Sequence, residues 1–236
     1  MQGLIESATA ILVSSERRLE TIAANVSNVT TPGYKRQISF QEALGRGGVI
    51  DAPAGHRVRA DFRQGQLQAT GAPMDLGISG AGFFQLRSAE GFVYTRNGQF
   101  RVAEDGSVVS AAGHVLQQED GGDVIVAPGS TIEVLEDGTV VDQGRPVARI
   151  GVFAPDEDVP MEALGGSLFS AGGHNLQPAE GTVVRQAMVE ASNVSVGDEM
   201  VAMMAAARQA EGGARLVQVY DELLGRAITA FGQGGR

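Results

Sequence analysis

The chain has no cysteine and no tryptophan, one lysine (Lys35), and only 5% aromatic residues in 236 positions. The absence of cysteine excludes disulfides, thiolate metal sites and cysteine nucleophiles. The scarcity of aromatics makes an aliphatic core the expectation. Formal net charge is −10 and no basic run occurs, which disfavours nucleic acid and anionic membrane as partners, because phosphate binding needs clustered cations. No stretch reaches the roughly 18 apolar residues of a membrane span. Residues 1–13 carry Glu6 and no uninterrupted apolar run before Ser14, Ser15, Glu16, Arg17 and Arg18, so no cleaved leader is expected.

What is present is 43% hydrophobic residues, 33 glycines and two long helical patterns, one at each end. Near the N terminus, Leu4, Ala8, Ile11, Ser15, Leu19, Ile22, Val26 and Val29 follow one another at steps of three or four and form a single stripe. Pro32 disfavours helical geometry at Thr31, and Pro32-Gly33 suits the central positions of a type II turn. Toward the C terminus, Met200, Met203, Ala207, Ala210, Ala214 and Val217, then Tyr220, Leu224, Ala227 and Phe231, form a second stripe. Gly212-Gly213 interrupts it, at about 1 kcal/mol per glycine relative to alanine. The run Asn25-Val26-Ser27 has an echo in Asn193-Val194-Ser195, just ahead of the second stripe.

The region between reads as β. Short alternating runs at residues 34–40, 56–62 and 83–86 predict strands, as do residues 92–96 and 99–102 on either side of Asn97-Gly98, the strongest hairpin signal in the chain. Asp105-Gly106, Ala112-Gly113 and Glu136-Asp137-Gly138 predict further turns. Single strands are expected at 147–153 and 183–189, and little order at 156–180. The fold class is therefore α+β, an all-β central domain with long N- and C-terminal helices that pair as a coiled-coil-like core segment. The expected divisions are an N-terminal core helix over residues 1–30, a connecting region over 31–66, a central β domain over 67–168, a returning connection over 169–192 and a C-terminal core helix over 193–236.

A magnitude argues that the ends associate. Burying seven or eight aliphatic side chains of the first stripe gives on the order of 10–20 kcal/mol. Ordering about 28 residues costs roughly 1–2 kcal/mol each. A lone terminal helix is marginal, so both stripes are expected to face protein.

Chemical motifs are absent. His56, His114 and His174 lack metal-ligand spacing. Asp156-Glu157-Asp158 lacks a calcium-loop pattern. Gly77-Ile78-Ser79-Gly80-Ala81 misses the nucleophile elbow, and Gly80-Ala81-Gly82 lacks the third glycine of a dinucleotide loop. The sequons at Asn25, Asn28 and Asn193 read as capping, turn or interhelix hydrogen bonding. No enzyme activity, cofactor or metal is expected.

The stretch over residues 23–34, ending Thr31-Pro32-Gly33-Tyr34, resembles the N-terminal signature of the flagellar rod and hook axial proteins. Residues 65–84 are similar to the long central signature of that family, residues 94–100 continue it, and Ser192-Asn193-Val194 with Glu199-Met200-Val201 match its C-terminal signature. Chain length favours the flagellar basal-body rod proteins. The run at 206–211 is similar to that of proximal rod proteins, with distal rod proteins, another axial subunit, or a helix-capturing adaptor as alternatives. Ala210 stands where the family has an aromatic and Gly212-Gly213 where it has bulkier residues, and these departures imply looser packing near residue 210. The resemblance implies a structural axial subunit of the periplasmic rod that is exported through the flagellar type III apparatus and polymerises with copies of itself and neighbouring rod proteins. It places the assembly interface on Leu4, Ala8, Ile11, Leu19, Ile22, Val26, Val29, Met200, Met203, Ala207, Val217, Leu224 and Phe231. The joint between helix and β domain is Asn25, Asn28, Thr31, Pro32, Gly33 and Tyr34 with Ser192, Asn193 and Val194. On this reading, replacing Pro32 or Gly33 should impair assembly more than folding of the β domain.

Overall fold

A computed structural model describes residues 2–39, 58–127, 129–156 and 159–233. The chain divides into two compact units. The first comprises Met1–Ser27, Gln37–Val58 and Ser195–Arg236, and the second Asn28–Arg36 and Arg59–Val194.

The first unit is built on helix α1 (Gln2–Ser27) and helix α2 (Val196–Gln233), with the short strand β1 (Gln37–Ile38). The two helices pack against each other. On α1 the inward stripe is Ala8, Ser15, Ile22 and Asn25, all buried. On α2 it is Glu199, Ala206 and Gly213, flanked by half-buried Ala202, Ala210, Val217 and Tyr220. This stripe runs one position off Met200, Met203 and Ala207, which are exposed. Small side chains let two backbones approach, and large ones hold them apart. Gly213 shows the effect: a Cβ there would meet Leu12 and Ile11 side-chain carbons at 3.1–3.2 Å. The helix runs through Gly212-Gly213 without a break. The looser packing expected near residue 210 is thus corrected to close approach.

The second unit contains strands β2 (Arg59–Ala60), β3 (Leu67–Ala69), β4 (Leu76–Ser79), β5 (Phe83–Ser88), β6 (Gly91–Thr95), β7 (Phe100–Val102), β8 (Val108–Ser110) and β9 (Val115–Leu116). It continues with β10 (Ile132–Val134), β11 (Thr139–Asp142), β12 (Arg145–Arg149), β13 (Val152–Ala154), β14 (Glu162–Gly165), β15 (Leu168–Ser170), β16 (Gln177–Pro178), β17 (Val183–Gln186) and β18 (Met188–Glu190). A nine-stranded sheet runs β14-β15-β6-β5-β9-β8-β7, with β13 joined to β5 and β16. A second sheet is β10-β11-β12, and two ribbons pair β17 with β4 and β18 with β3.

Alternation along β5 separates two cores. Phe84 and Leu86 enter an aliphatic cluster with Leu76, Ile78, Val93, Leu116, Val140 and Ile150. Phe83 points the other way, into a cluster with Tyr94, Phe153 and Phe169. Phe62, Phe83 and Phe169 form edge and tilted ring contacts at 5.3–5.6 Å between centroids. The expectation of an aliphatic core fails in this second cluster, and the first also holds Phe84 and Phe100 in an edge contact at 5.3 Å.

Asn97-Gly98 makes no hairpin. β6 pairs with β5 and β15, and β7 pairs with β8. Gly98 instead lies against β4: a Cβ there would collide with the Leu76 carbonyl oxygen, and the Leu76 N–H donates to Gly98 O at 2.9 Å. The expected strand at 147–153 breaks after Arg149, where Ile150 N–H turns to Gly138 O. The expected strand at 183–189 breaks at Ala187, whose φ is +57° and whose carbonyl accepts the Thr70 N–H. Within 156–180, β14 and β15 form a hairpin round Gly165-Gly166. The runs at 34–40 and 56–62 contain only β1 and β2, and Phe40, His56 and Arg57 lie outside the described residues.

The Asp-Gly turns do close hairpins. Asp105 Oδ1 accepts from Ser107 N and Oγ, and Asp137 accepts from Thr139 N and Oγ1. These bonds hold both carboxyls below their ordinary value of 3.8. A carboxyl depressed by folding stabilises the native state above the unfolded value and loses that contribution as pH falls through the folded one. Urea unfolding at pH 6 and pH 3 should therefore show an acid loss that is smaller in an Asp105→Asn/Asp137→Asn variant. An equal loss in both proteins would refute this assignment.

Candidate assembly interface and joint

Helix α1 ends in an Asn–Thr turn. Thr31 N–H donates to Asn28 O at 3.1 Å and Thr31 Oγ1 to Asn28 Oδ1 at 3.3 Å. The turn that follows has Tyr34 N–H on Thr31 O, Pro32 at the second position and Gly33 at the third with φ +69°, as a type II turn requires. Gly33 has a second duty that its turn chemistry does not reveal. A Cβ there would fall well inside contact with the Arg96 carbonyl and the Asn97 nitrogen. The Gly33 N–H also donates to Glu190 O at 2.7 Å.

The echoed asparagines are both backbone clamps. Asn25, buried within the helical unit, accepts the Gln37 N–H at 2.8 Å and donates to Gln37 O at 2.9 Å. Asn193, in the β unit, accepts the Arg36 N–H at 2.7 Å and donates to Asp61 O and Arg63 O at 2.8 and 2.9 Å. Asparagine suits this use because one amide offers both a donor and an acceptor to an extended chain. Ser192 Oγ accepts the Val194 N–H, and Val194 is buried. Tyr34 is buried too, and its carbonyl accepts the Asn193 N–H.

Of the interface candidates, Ala8 and Ile22 are buried within the helical unit, and Ile11, Leu19, Val26 and Val217 are half-buried. Val29, also half-buried, belongs to the β unit. Met200, Met203 and Ala207 are exposed. The side chains of Leu4, Leu224 and Phe231 lie outside the described residues. The exposed set extends beyond the expected stripe. Val201, Met204, Leu216, Val219 and Leu223 join the methionines, with exposures from 37% at Met203 to 64% at Val201.

The β unit also holds a buried charge cluster absent from the sequence reading. Lys35 Nζ meets Glu190 Oε1 at 2.6 Å and donates to Arg63 O at 2.9 Å. Arg96 Nη1 meets Glu190 Oε2 at 2.9 Å, its Nη2 donates to Gly80 O at 2.7 Å, and its guanidinium lies 5.4 Å above the Phe83 ring. Gly65 N–H completes the set on Glu190 Oε1 at 2.7 Å. Burial lowers the pKa of Lys35, with Glu190 opposing it, and lowers that of Arg96 in the same way. The uniqueness of Lys35 in the chain was the available signal.

Among the described residues no three His, Asp or Glu side chains converge as a metal site, and no helix is long and apolar enough to cross a membrane.

Residues 15–35 match the family described as "Flagella basal body rod protein", residues 77–142 "Flagellar hook protein FlgE/F/G D1 domain", and residues 185–230 "Flagellar basal body rod FlgEFG protein C-terminal". The flagellar basal-body rod protein FlgF of Caulobacter vibrioides is 29% identical over 227 residues, covering 92% of this chain and 93% of that protein. FlgG of Borreliella burgdorferi is 26% identical, covering 96% and 98%. FlgF of Mesorhizobium japonicum is 28% identical, covering 98% and 99%. These matches, which run in order along the chain, support a place for it among the flagellar basal-body rod proteins. The similarities support a structural axial rod subunit, in a family not known as enzymes. The rod-family matches also locate the buried cluster. Lys35, Arg96 and Glu190 fall one in each of the three matched segments.

Proposed function

We propose that this rod subunit polymerises through its terminal helices, with copies of itself and with neighbouring rod proteins, and passes torque from motor to hook along those contacts. The observation that carries the reading is the outer face of α2. Met200, Val201, Met203, Met204, Leu216, Val219 and Leu223 are exposed on a helix whose small-residue side already packs on α1. Exposed apolar clusters such as these, at 200–204 and 216–223, belong against protein. Methionine adapts to unlike neighbours, which suits a subunit that meets both itself and other rod proteins. The run at 206–211 supports a proximal place in the rod. Export through the flagellar type III apparatus without a cleaved signal, and a periplasmic location, complete the reading.

A Met200→Glu/Met203→Glu variant tests it. Both side chains face solvent in the single chain, so the unfolding midpoint should move by no more than about 0.5 kcal/mol. Concentration-dependent polymer formation, followed by light scattering and electron microscopy, should be lost along with swimming. Unchanged polymerisation would refute the reading.

A further inference from the structure

Rod assembly through helices does not require a buried ion cluster in the β unit. The cluster joins points far apart in the chain. Glu190 lies 155 residues from Lys35, 125 from Gly65 and 94 from Arg96. It is also the last residue of β18. Its carboxylate faces two cations, and Asp61, the other acid acting on Lys35, is bonded to the Arg63 guanidinium through Nε and Nη2. Without Glu190, seating Lys35 beside Arg96 would bury two like charges with no balancing anion between them. Two backbone donors depend on the same residue, Gly33 on its carbonyl and Gly65 on its carboxylate. The β5–β6 pairing and the aliphatic core around Phe84 and Leu86 use none of these bonds.

We propose that Lys35–Glu190–Arg96 is a closing lock on the β unit: the entering segment at 33–36 and the segment at 63–66 seat only when returning strand β18 supplies Glu190. The unit completes itself once the chain through residue 190 is in place, and a chain still lacking that strand keeps both segments open. The charge balance enforces the order, since the two cations repel each other until the carboxylate arrives.

Hydrogen exchange on the full chain tests this. In Glu190→Gln, the amides of Gly33 and Gly65 should exchange about a hundredfold faster or more and approach the rate of the unfolded chain, while those of β5 and β6, sped only by the overall loss of stability, remain protected. Unchanged exchange at 33 and 65 would overturn the lock. So would loss of protection throughout β5 and β6, because the cluster would then be part of the general core. Pulse-labelled refolding of the unaltered chain supplies the second measurement. Gly33 and Gly65 should become protected together with β18 and after β5 and β6. Protection of Gly33 or Gly65 ahead of β18 would overturn the proposal.

Discussion

Glu190→Gln should destabilise the β unit by about 3–5 kcal/mol, the cost of breaking a buried ion group from the side that leaves charge uncompensated. Lys35→Met should cost about 1 kcal/mol. The asymmetry follows from the count of charges. The cluster holds two cations and one anion, with Lys35 and Glu190 at 0% and 1% side-chain exposure. Removing Lys35 leaves a balanced Glu190–Arg96 pair, whereas removing Glu190 leaves two cations. The deficit of Glu190→Gln should also shrink as pH rises. Burial already lowers the Lys35 pKa from 10.5, and Glu190 is the chief influence raising it. With Glu190 neutralised, the folded variant sheds the Lys35 proton at a lower pH than the unfolded chain does, so its stability climbs between those two values. Urea unfolding of both variants from pH 6 to pH 10 measures this. Equal costs for the two substitutions would contradict the charge argument.

Gly33→Ala should cost on the order of 3 kcal/mol, against about 1 kcal/mol for Gly71→Ala. The comparison is controlled by backbone geometry. The two glycines have φ of +69° and +74°, so both substitutions carry the same left-handed penalty. A Cβ at residue 71 meets nothing within 4 Å, while one at residue 33 meets the main chain at Arg96 and Asn97. Backbone cannot move aside as a flexible side chain can. The larger cost should therefore appear in unfolding of the β unit itself, which revises the expectation that Gly33 acts mainly in assembly. Pro32→Ala should cost only about 0.5–1 kcal/mol, through the freedom it adds to the unfolded chain. If Gly33→Ala and Gly71→Ala proved equal, the docking of residue 33 on residues 96–97 would be disproved.

The buried cluster and the Gly33 contact were both hidden from a reading of the sequence, though each residue was in view. Thr31-Pro32-Gly33-Tyr34 announces a turn because proline presets one φ and glycine supplies the other. Nothing in those four residues names Arg96 as the surface against which the turn lies. Lys35 drew notice only as the sole lysine, since its partner stands 155 residues away. Asn97-Gly98 misled for the same reason. Its local preference for a hairpin was overruled by β4, whose Leu76 pairs with the Gly98 carbonyl. The side of α2 that meets α1 was not told apart from its exposed methionine side, because hydrophobicity ranks methionine above alanine, whereas close helix packing ranks alanine and glycine first.

By itself the sequence determined what depends on neighbouring residues. Two terminal helices follow from spacings of three and four, the exit turn from Pro32 and Gly33, the strands from alternation, and the Asp-Gly hairpins from side chains that bond their own backbone. The family signature is of this kind, because it lies in ordered short runs. Tertiary structure alone decided the partners: which side of α2 meets α1, which strands flank β6, and which carboxylate balances Lys35 and Arg96. Local preferences are set by covalent geometry within a few residues. Partner choice is set by which surfaces and charges can be buried together, and those come from positions that only the folded chain brings within reach.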